Sequence, residues 1–246
     1  MIDPYIAEFI GTFFLLLLGT GVVANVTLKN TIAEGQSPWV LITSAWGFAV
    51  FVGVFISGQF SGAHLNPAVT LGLAVAGKFS WTLVPGYVIA QVLGAMFGAW
   101  ACYLTYIDHY RLTEDEGVVR STFFTGPAIR NFKNNFFSEF VGTFVLVFGV
   151  LFIAVPNIEI EGVVVDNFGL GAIQALPVAI LVWVIGMALG GTTGYAINPA
   201  RDFGPRLMYQ MLPRKNKDAD WPYAWIPILA PMAGGALAGF AYIFCV

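Results

Sequence analysis

The chain has 246 residues, is 58% hydrophobic and carries only 10% charged side chains, against roughly 25% in a typical soluble domain. So little charge excludes a surface covered by water, and a net charge of −3 gives no basis for a nucleic-acid partner. Several apolar runs approach the roughly 20 residues that cross a bilayer, so the composition predicts a polytopic membrane protein.

In chain order, the N-terminus "MIDPYIAEF" has no positive n-region, which predicts a first helix that stays in the membrane rather than a cleaved signal peptide. Hydropathy predicts six spans, over about 5–26, 39–58, 83–106, 136–155, 170–190 and 223–245. Polar stretches separate them at about 27–38, 107–135, 156–169 and 211–222. Between the second and third spans, "SGAHLNPAVTLGL" (Ser61 to Leu73) predicts a shorter helix opening at Asn66. Between the fifth and sixth, "TGYAINPARDFGP" (Thr193 to Pro205) predicts another opening at Asn198. Trp39, Trp81, Trp221 and Trp225 fall near span ends, where aromatic belts form and where packing would equally place them. Cys102 and Cys245 lie far apart in apolar segments and read as buried thiols rather than a disulfide.

The chain repeats itself. "AEFIGTF" (Ala7 to Phe13) returns as "SEFVGTF" (Ser138 to Phe144), 131 positions later, and Asn66 returns as Asn198, 132 positions later. "VIAQVLGAMFGAW" (Val88 to Trp100) aligns loosely with "ILAPMAGGALAGF" (Ile228 to Phe240). One half covers about 5–106 and the other about 136–246, within a single domain spanning 1–246. Three spans per half is an odd number, so the second half enters the membrane from the opposite side. Such inverted repeats place their working site at the midplane between the halves. Gly94 with Gly98, and Gly235 with Gly239, have the small-xxx-small spacing that lets helices pack closely in lipid.

The two breaks carry chemistry. Asn is a favoured N-cap and Pro is tolerated at the first helical position. "NPA" (Asn66, Pro67, Ala68, and again Asn198, Pro199, Ala200) therefore reads as a helix start at membrane depth, twice. About ten helical residues follow each Asn, or roughly 15 Å, so two such half-helices meeting end to end cover a roughly 30 Å hydrocarbon core. The residues before each Asn are irregular backbone that lipid cannot satisfy, so they line a wet cavity or pack in protein. The cavity reading gives a row of accepting carbonyls from Gly62, Ala63, His64 and Leu65, and from Gly194, Tyr195, Ala196 and Ile197, with two Asn amides donating at the centre. Two helix N-termini make that centre electropositive and disfavour cations and protons. Glu8 and Glu139 occupy matching places in the first span of each half; they read as braces for the two loops, with a proton relay as the alternative. His64 and Gln91 read as further loop supports, since one His makes no metal site.

These residues resemble the aquaporin, or major intrinsic protein, family over essentially the whole chain. The resemblance implies an all-α membrane protein of six tilted helices plus two re-entrant half-helices, usually a homotetramer with one pore per subunit. It implies both termini in the cytoplasm, placement in the plasma (inner) membrane, no cofactor and no metal. Selectivity in such pores comes from pore width, lining groups, an Arg and half-helix dipoles.

Three residues after Asn, the first repeat has Val69 and the second has Arg201. By resemblance, Arg201 forms a constriction with Trp46, Tyr195 and the position of Gly186, where water-selective members commonly carry His. Gly there removes a side chain and widens the gate; Trp46 and Tyr195 then offer aromatic faces to a carbon chain while Arg201 donates to its hydroxyls. Tyr106, Asp202, Arg206 and the pair Pro227 and Ile228 agree with the glycerol-facilitator subgroup, whereas Tyr195 departs from the Phe common in bacterial members. The implied function is passive conduction of glycerol, water and related small neutral solutes across the lipid bilayer, with ions excluded and no enzymatic activity. The alternatives are a water-selective pore, which Gly186 argues against, and a coupled secondary transporter, for which only Glu8 and Glu139 are available.

Charge placement opposes the family topology. Outside the half-helices, about one Lys or Arg (Lys78) would face the cytoplasm and about eight would face outward, including Lys29, Arg111 and Arg214, the reverse of the positive-inside pattern. The motif match is the more specific signal, and a removed basic tail beyond Cys245 and Val246 would reconcile the two.

Overall fold

The structure, a computed structural model, describes residues 2–154, 158–160, 163–165 and 170–246. Asp3 caps the first helix, α1 (Pro4–Thr27), by accepting from the Tyr5 amide, and Pro4 takes its first position. Next come α2 (Trp39–Ser61), the short α3 (Pro67–Val75) and, after a 3₁₀ turn at Trp81–Leu83, α4 (Val84–Thr105). Two small helices follow, α5 (Ile107–Leu112) and α6 (Glu116–Ser121), and then α7 (Phe132–Phe152). A 3₁₀ turn at Gly171–Ala175 leads into α8 (Leu176–Leu189), then α9 (Pro199–Met211), α10 (Trp221–Ala224) and α11 (Ile226–Ile243).

Six helical stretches are long and apolar enough to span a membrane: Pro4–Thr27, Trp39–Ser61, Trp81–Thr105, Phe132–Phe152, Gly171–Leu189 and Trp221–Ile243. They bear out the six expected spans. The fourth begins four residues before its expected start because Asn131 caps it, its side chain accepting from Asn134 N while Asn135 Oδ1 accepts from Asn131 N. The stretch 107–135, expected only as polar, contains α5 and α6. One feature departs from an all-helical chain: Ile158–Ile160 (β1) pairs antiparallel with Val163–Val165 (β2), Ile158 opposite Val165. These runs are rich in β-branched residues, which favour extended backbone. The rest of the expected polar stretch 156–169 lies outside the described residues. With an even number of spans both termini lie on one face, here called the terminal face; α5 and α6 lie on the other, the loop face.

Large apolar side chains such as Phe48, Phe55, Ile89, Phe137, Val184 and Phe240 are exposed on the spans. Such a surface needs hydrocarbon around it, so the chain is an integral membrane protein. Inside, close helix approach is set by missing Cβ atoms. A Cβ on Gly94 or Gly98 of α4 would collide with the carbonyls of Phe9 or Phe13 of α1, and one on Gly234 of α11 with that of Phe140 of α7. The expected pair Gly235 and Gly239 packs instead on α3, against the Ala68 and Gly72 carbonyls. The two halves thus use matching glycines, Gly94 and Gly234, to seat the third span on the first. A buried cluster including Leu15, Trp46, Leu146, Val182 and Ile185 surrounds the midplane. A second one, at the loop face, gathers Tyr103, Tyr110, Phe123, Phe124 and Tyr209.

Candidate functional site

The backbone before each half-helix takes a conformation that most residues avoid. Gly62, Ala63 and Leu65 have φ of 79°, 50° and 52°; Gly194, Tyr195 and Ile197 have 79°, 39° and 42°. For a residue with a Cβ the left-handed region costs about 1–2 kcal/mol, so the surroundings must hold these loops. Two buried carboxylates meet them. Glu8 Oε1 accepts from Ser61 Oγ (2.6 Å) and His64 N (2.9 Å), and its Oε2 from Leu65 N (2.7 Å) and Gln91 Nε2 (2.8 Å). In the other half, Glu139 Oε1 accepts from Thr193 Oγ1 (2.6 Å) and Ala196 N (2.9 Å), and Oε2 from Ile197 N (2.8 Å). Gln91 Nε2 also donates to Thr70 Oγ1 at 3.0 Å, and His64 Nδ1 lies 3.1 Å from the same hydroxyl. The His64 ring packs edge-on to Phe79 at 4.5 Å. Ser61 and Thr193, which sequence reading passed over, occupy equivalent places one residue before the loop glycines.

The two Asn side chains are cross-wired. Asn66 Oδ1 accepts from Ala68 N, and Asn198 Oδ1 from Ala200 N and Arg201 N, so each caps its own half-helix. Each amide then reaches the opposite loop: Asn66 Nδ2 donates to the Ile197 carbonyl and Asn198 Nδ2 to the Leu65 carbonyl, both at 2.9 Å. An amide nitrogen carries two N–H groups, so one on each Asn is left for another acceptor. The Leu65 and Ile197 carbonyls are thereby engaged. Among the described residues, no donor is hydrogen-bonded to the carbonyls of Gly62, Ala63, His64, Tyr195 or Ala196.

These groups line a cavity of about 750 Å³. Its polar lining includes Gly62 to Asn66, Tyr195 to Asn198, Arg201, Gln59 and Gln174; apolar residues including Leu15, Val50, Val69, Leu146 and Val182 complete the wall. Gly194 is not among the lining residues, and neither is Gly186. The reason for the second absence is Tyr195. A Cβ on Gly186 would lie 2.7 Å from Tyr195 Cζ and 2.9 Å from Cε2, so the ring fills the space that the glycine leaves. The Trp46 face is also taken: the Arg201 guanidinium carbon sits 4.1 Å from the indole centroid. That is van der Waals contact, so nothing fits between those two planes. Arg201 Nη1 makes one long bond to the Phe123 carbonyl, 3.3 Å.

Behind Arg201, α9 is tied to the loop face. Asp202 and Arg206, both fully buried, pair at 2.7 Å across one helical turn. Asp202 Oδ2 accepts from Thr125 N (2.9 Å) and Thr125 Oγ1 (2.7 Å). The Arg206 guanidinium donates to the carbonyls of Ala219, Asp220 and Thr125 and lies 3.9 Å over the Phe124 ring. Arg130 in turn pairs with Asp220, whose carboxylate raises the Arg130 pKa above the ordinary guanidinium value. Phe123 and Thr125 had no signal in the sequence; they lie far from α9 along the chain. Tyr106, Pro227 and Ile228 are among the sequence-selected positions that do not line the cavity. Tyr106 ends α4 beside His109, and Pro227 and Ile228 sit in the first turn of α11.

Comparison with known proteins agrees with this geometry. Residues 1–242 match the family model described as major intrinsic protein. The chain is 48% identical over 239 residues to a probable glycerol uptake facilitator protein of Thermotoga maritima, covering 97% of each. It is 49% identical over 238 residues to glycerol uptake facilitator protein 3 of Lactiplantibacillus plantarum, covering 96% of this chain and 94% of that one. Among solved structures, the aquaglyceroporin from Plasmodium falciparum superposes with a TM-score of 0.81 at 32% identity, covering 97% of this chain and 94% of that one. With inverted half-helices, cross-bonded asparagines and a family match over nearly its whole length, the chain belongs to the major intrinsic protein family.

Proposed function

We propose that the protein is a passive channel for glycerol and water. The observation that carries this is the two-sided cavity wall, in which unpartnered carbonyls and two spare Asn N–H groups face an apolar side. A carbonyl in hydrocarbon without a donor costs several kcal/mol, roughly 2–7 by transfer data. The row of carbonyls therefore calls for a succession of hydroxyl donors. Water supplies them, and so does a short polyol, whose carbon edge can ride on Leu15, Val50 and Val69 while its hydroxyls move along the loops.

Arg201, Tyr195 and Trp46 form the filter, with Gly186 acting from behind through Tyr195. For a carbon chain to pass, the guanidinium must leave the Trp46 face. A cation–π contact is worth about 0.5–2 kcal/mol, and the single other bond is long, so a solute hydroxyl accepting from Arg201 offsets most of that cost. Arg201 and the two helix N-termini at the centre repel cations. Glu8 and Glu139 act as braces: both are buried behind the loops and neither lines the cavity, which favours a brace over a proton relay.

The remaining readings follow the family. The terminal face is cytoplasmic, the membrane is the plasma membrane, and four copies assemble with one pore each. Cleavage by protease added outside, within 107–135, tests the orientation, and protection there would reverse it. In proteoliposomes, glycerol flux should rise linearly with its gradient and ignore a protonophore. Saturable uptake that needs a proton gradient would refute the channel and restore the coupled transporter.

A further inference from the structure

Tyr195 is 7% exposed, and its buried hydroxyl has no hydrogen-bond partner among the described residues, so no polar contact there fixes the ring's direction. Packing must do so. The ring lies along α8 on a bed made by two glycines one turn apart: a Cβ on Gly186 would sit 2.7 Å from its Cζ, and one on Gly190 2.5 Å from its Cδ1. The edge of that bed is closed by Trp39, the first residue of α2. The two rings meet edge to face, centroids 5.8 Å apart at 81°. A Cβ on Gly190 would come 2.7 Å from Trp39 Cζ2, so Trp39 uses the same bed. Its indole Nε1 donates to the Gly186 carbonyl at 2.9 Å, beside the helical bond from Gly190 N at 3.2 Å. That bond pins the indole to the residue Tyr195 rests on. Trp39 does not line the cavity and is 41% exposed.

We propose that Trp39 is a positioning residue for the filter, which sets through Tyr195 the widest polyol the pore admits. The proposal rests on the reading of Tyr195 and Arg201 as the filter. Confined between the glycine bed and the indole, the Tyr195 ring cannot retreat from a passing solute. Without the indole, volume opens on the side away from the cavity, and the ring can yield to a wider carbon chain. An ordinary bilayer-anchoring tryptophan would have no such effect on selectivity.

The experiment measures water, glycerol, erythritol and xylitol permeabilities in proteoliposomes by stopped flow. It uses wild type, Trp39→Phe, Trp39→Leu and, as an interfacial control without filter contact, Trp81→Leu. Trp39→Leu should raise the erythritol-to-glycerol ratio about two- to tenfold, the range expected for one aromatic pair, with water nearly constant. Trp39→Phe keeps a ring but loses the N–H and should shift the ratio less, in the same sense; Trp81→Leu should leave it unchanged. A wild-type ratio in Trp39→Leu, or a fall of every permeability by one common factor, overturns the proposal. Where Trp39→Leu yields no folded protein, Trp39→Phe decides alone, an unchanged ratio refuting it. Absence of glycerol flux in wild type would instead sink the filter reading, a result separable from failure of the variants.

Discussion

Gly186→Ala is the sharpest test of the filter, because the structure fixes what the added methyl meets. The new Cβ would lie 2.7 Å from Tyr195 Cζ, 2.9 Å from Cε2 and 3.0 Å from Thr43 Cγ2. Carbon atoms in contact prefer about 3.5–4.0 Å, so the ring must give by roughly 1 Å. Backbone of α8 blocks one direction and Thr43 another, which leaves the cavity. Overpacking of this kind costs about 1–3 kcal/mol. Charged to a solute that needs the same gap, at 1.36 kcal/mol per tenfold, it lowers glycerol flux by about five- to 150-fold. Water, which needs less width, should lose much less. The assay is stopped-flow light scattering on proteoliposomes, with glycerol and water permeability taken from the same preparation. An unchanged glycerol-to-water ratio would refute the claim that Gly186 acts through the Tyr195 ring. Gly186→His should cut glycerol further; pairing it with Tyr195→Thr gives the imidazole its own space and isolates its effect.

Other variants separate exclusion, bracing and anchoring. Arg201→Val makes the second repeat resemble Val69 of the first and should admit proton or cation leak, read as pH-dye response in liposomes; intact exclusion would assign that task to the central helix dipoles alone. Glu139→Gln turns one of the two oxygens that together accept three donors into a donor, so at least one buried donor loses its partner at about 1–3 kcal/mol. Glycerol and water flux should then fall together, and a variant that keeps both would show that the loop holds itself. Asp202→Ala leaves Arg206 charged, buried and unpaired, a loss of about 3–5 kcal/mol, seen as a lower unfolding temperature in detergent.

Much of this was legible in the chain because the bilayer imposes simple rules. Apolar length gave the six spans, and repetition of "EFIGTF" and "EFVGTF" with two Asn-Pro-Ala boxes gave the inverted halves. Glu8, Glu139 and Gln91 could be picked out because a polar group at membrane depth needs a reason. Phe123 and Thr125 could not, and Trp39 could be read only as a span-end tryptophan. Their contacts with Arg201, Asp202 and Gly186 span 78, 77 and 147 positions, and no local pattern encodes which loop folds over which helix. The role of Gly186 was readable only in part: a missing side chain is visible in sequence, but the ring that occupies its space is not.

The two halves divide the work according to where they agree. Along the midplane they are equivalent: Asn66 bonds the loop of Asn198 and the reverse, and Glu8 and Glu139 hold matching backbones. A symmetric centre can bind a hydroxyl from either direction with the same geometry, which suits flow driven only by a gradient. Size selection needs a narrow place, and two of them in series would add their barriers without adding discrimination. One suffices, so only the second half carries an Arg after its Asn-Pro-Ala, and only it needs the buried Asp202–Arg206 pair to tie the half-helix to the loop face. The first half has Val69 and Thr70 at those places, and Thr70 bonds back to the Asn66 carbonyl and to Gln91 within its own half. In the proposed channel symmetry thus sets the path, and its local breaking at Arg201, Asp202 and Tyr195 would set what can travel along it.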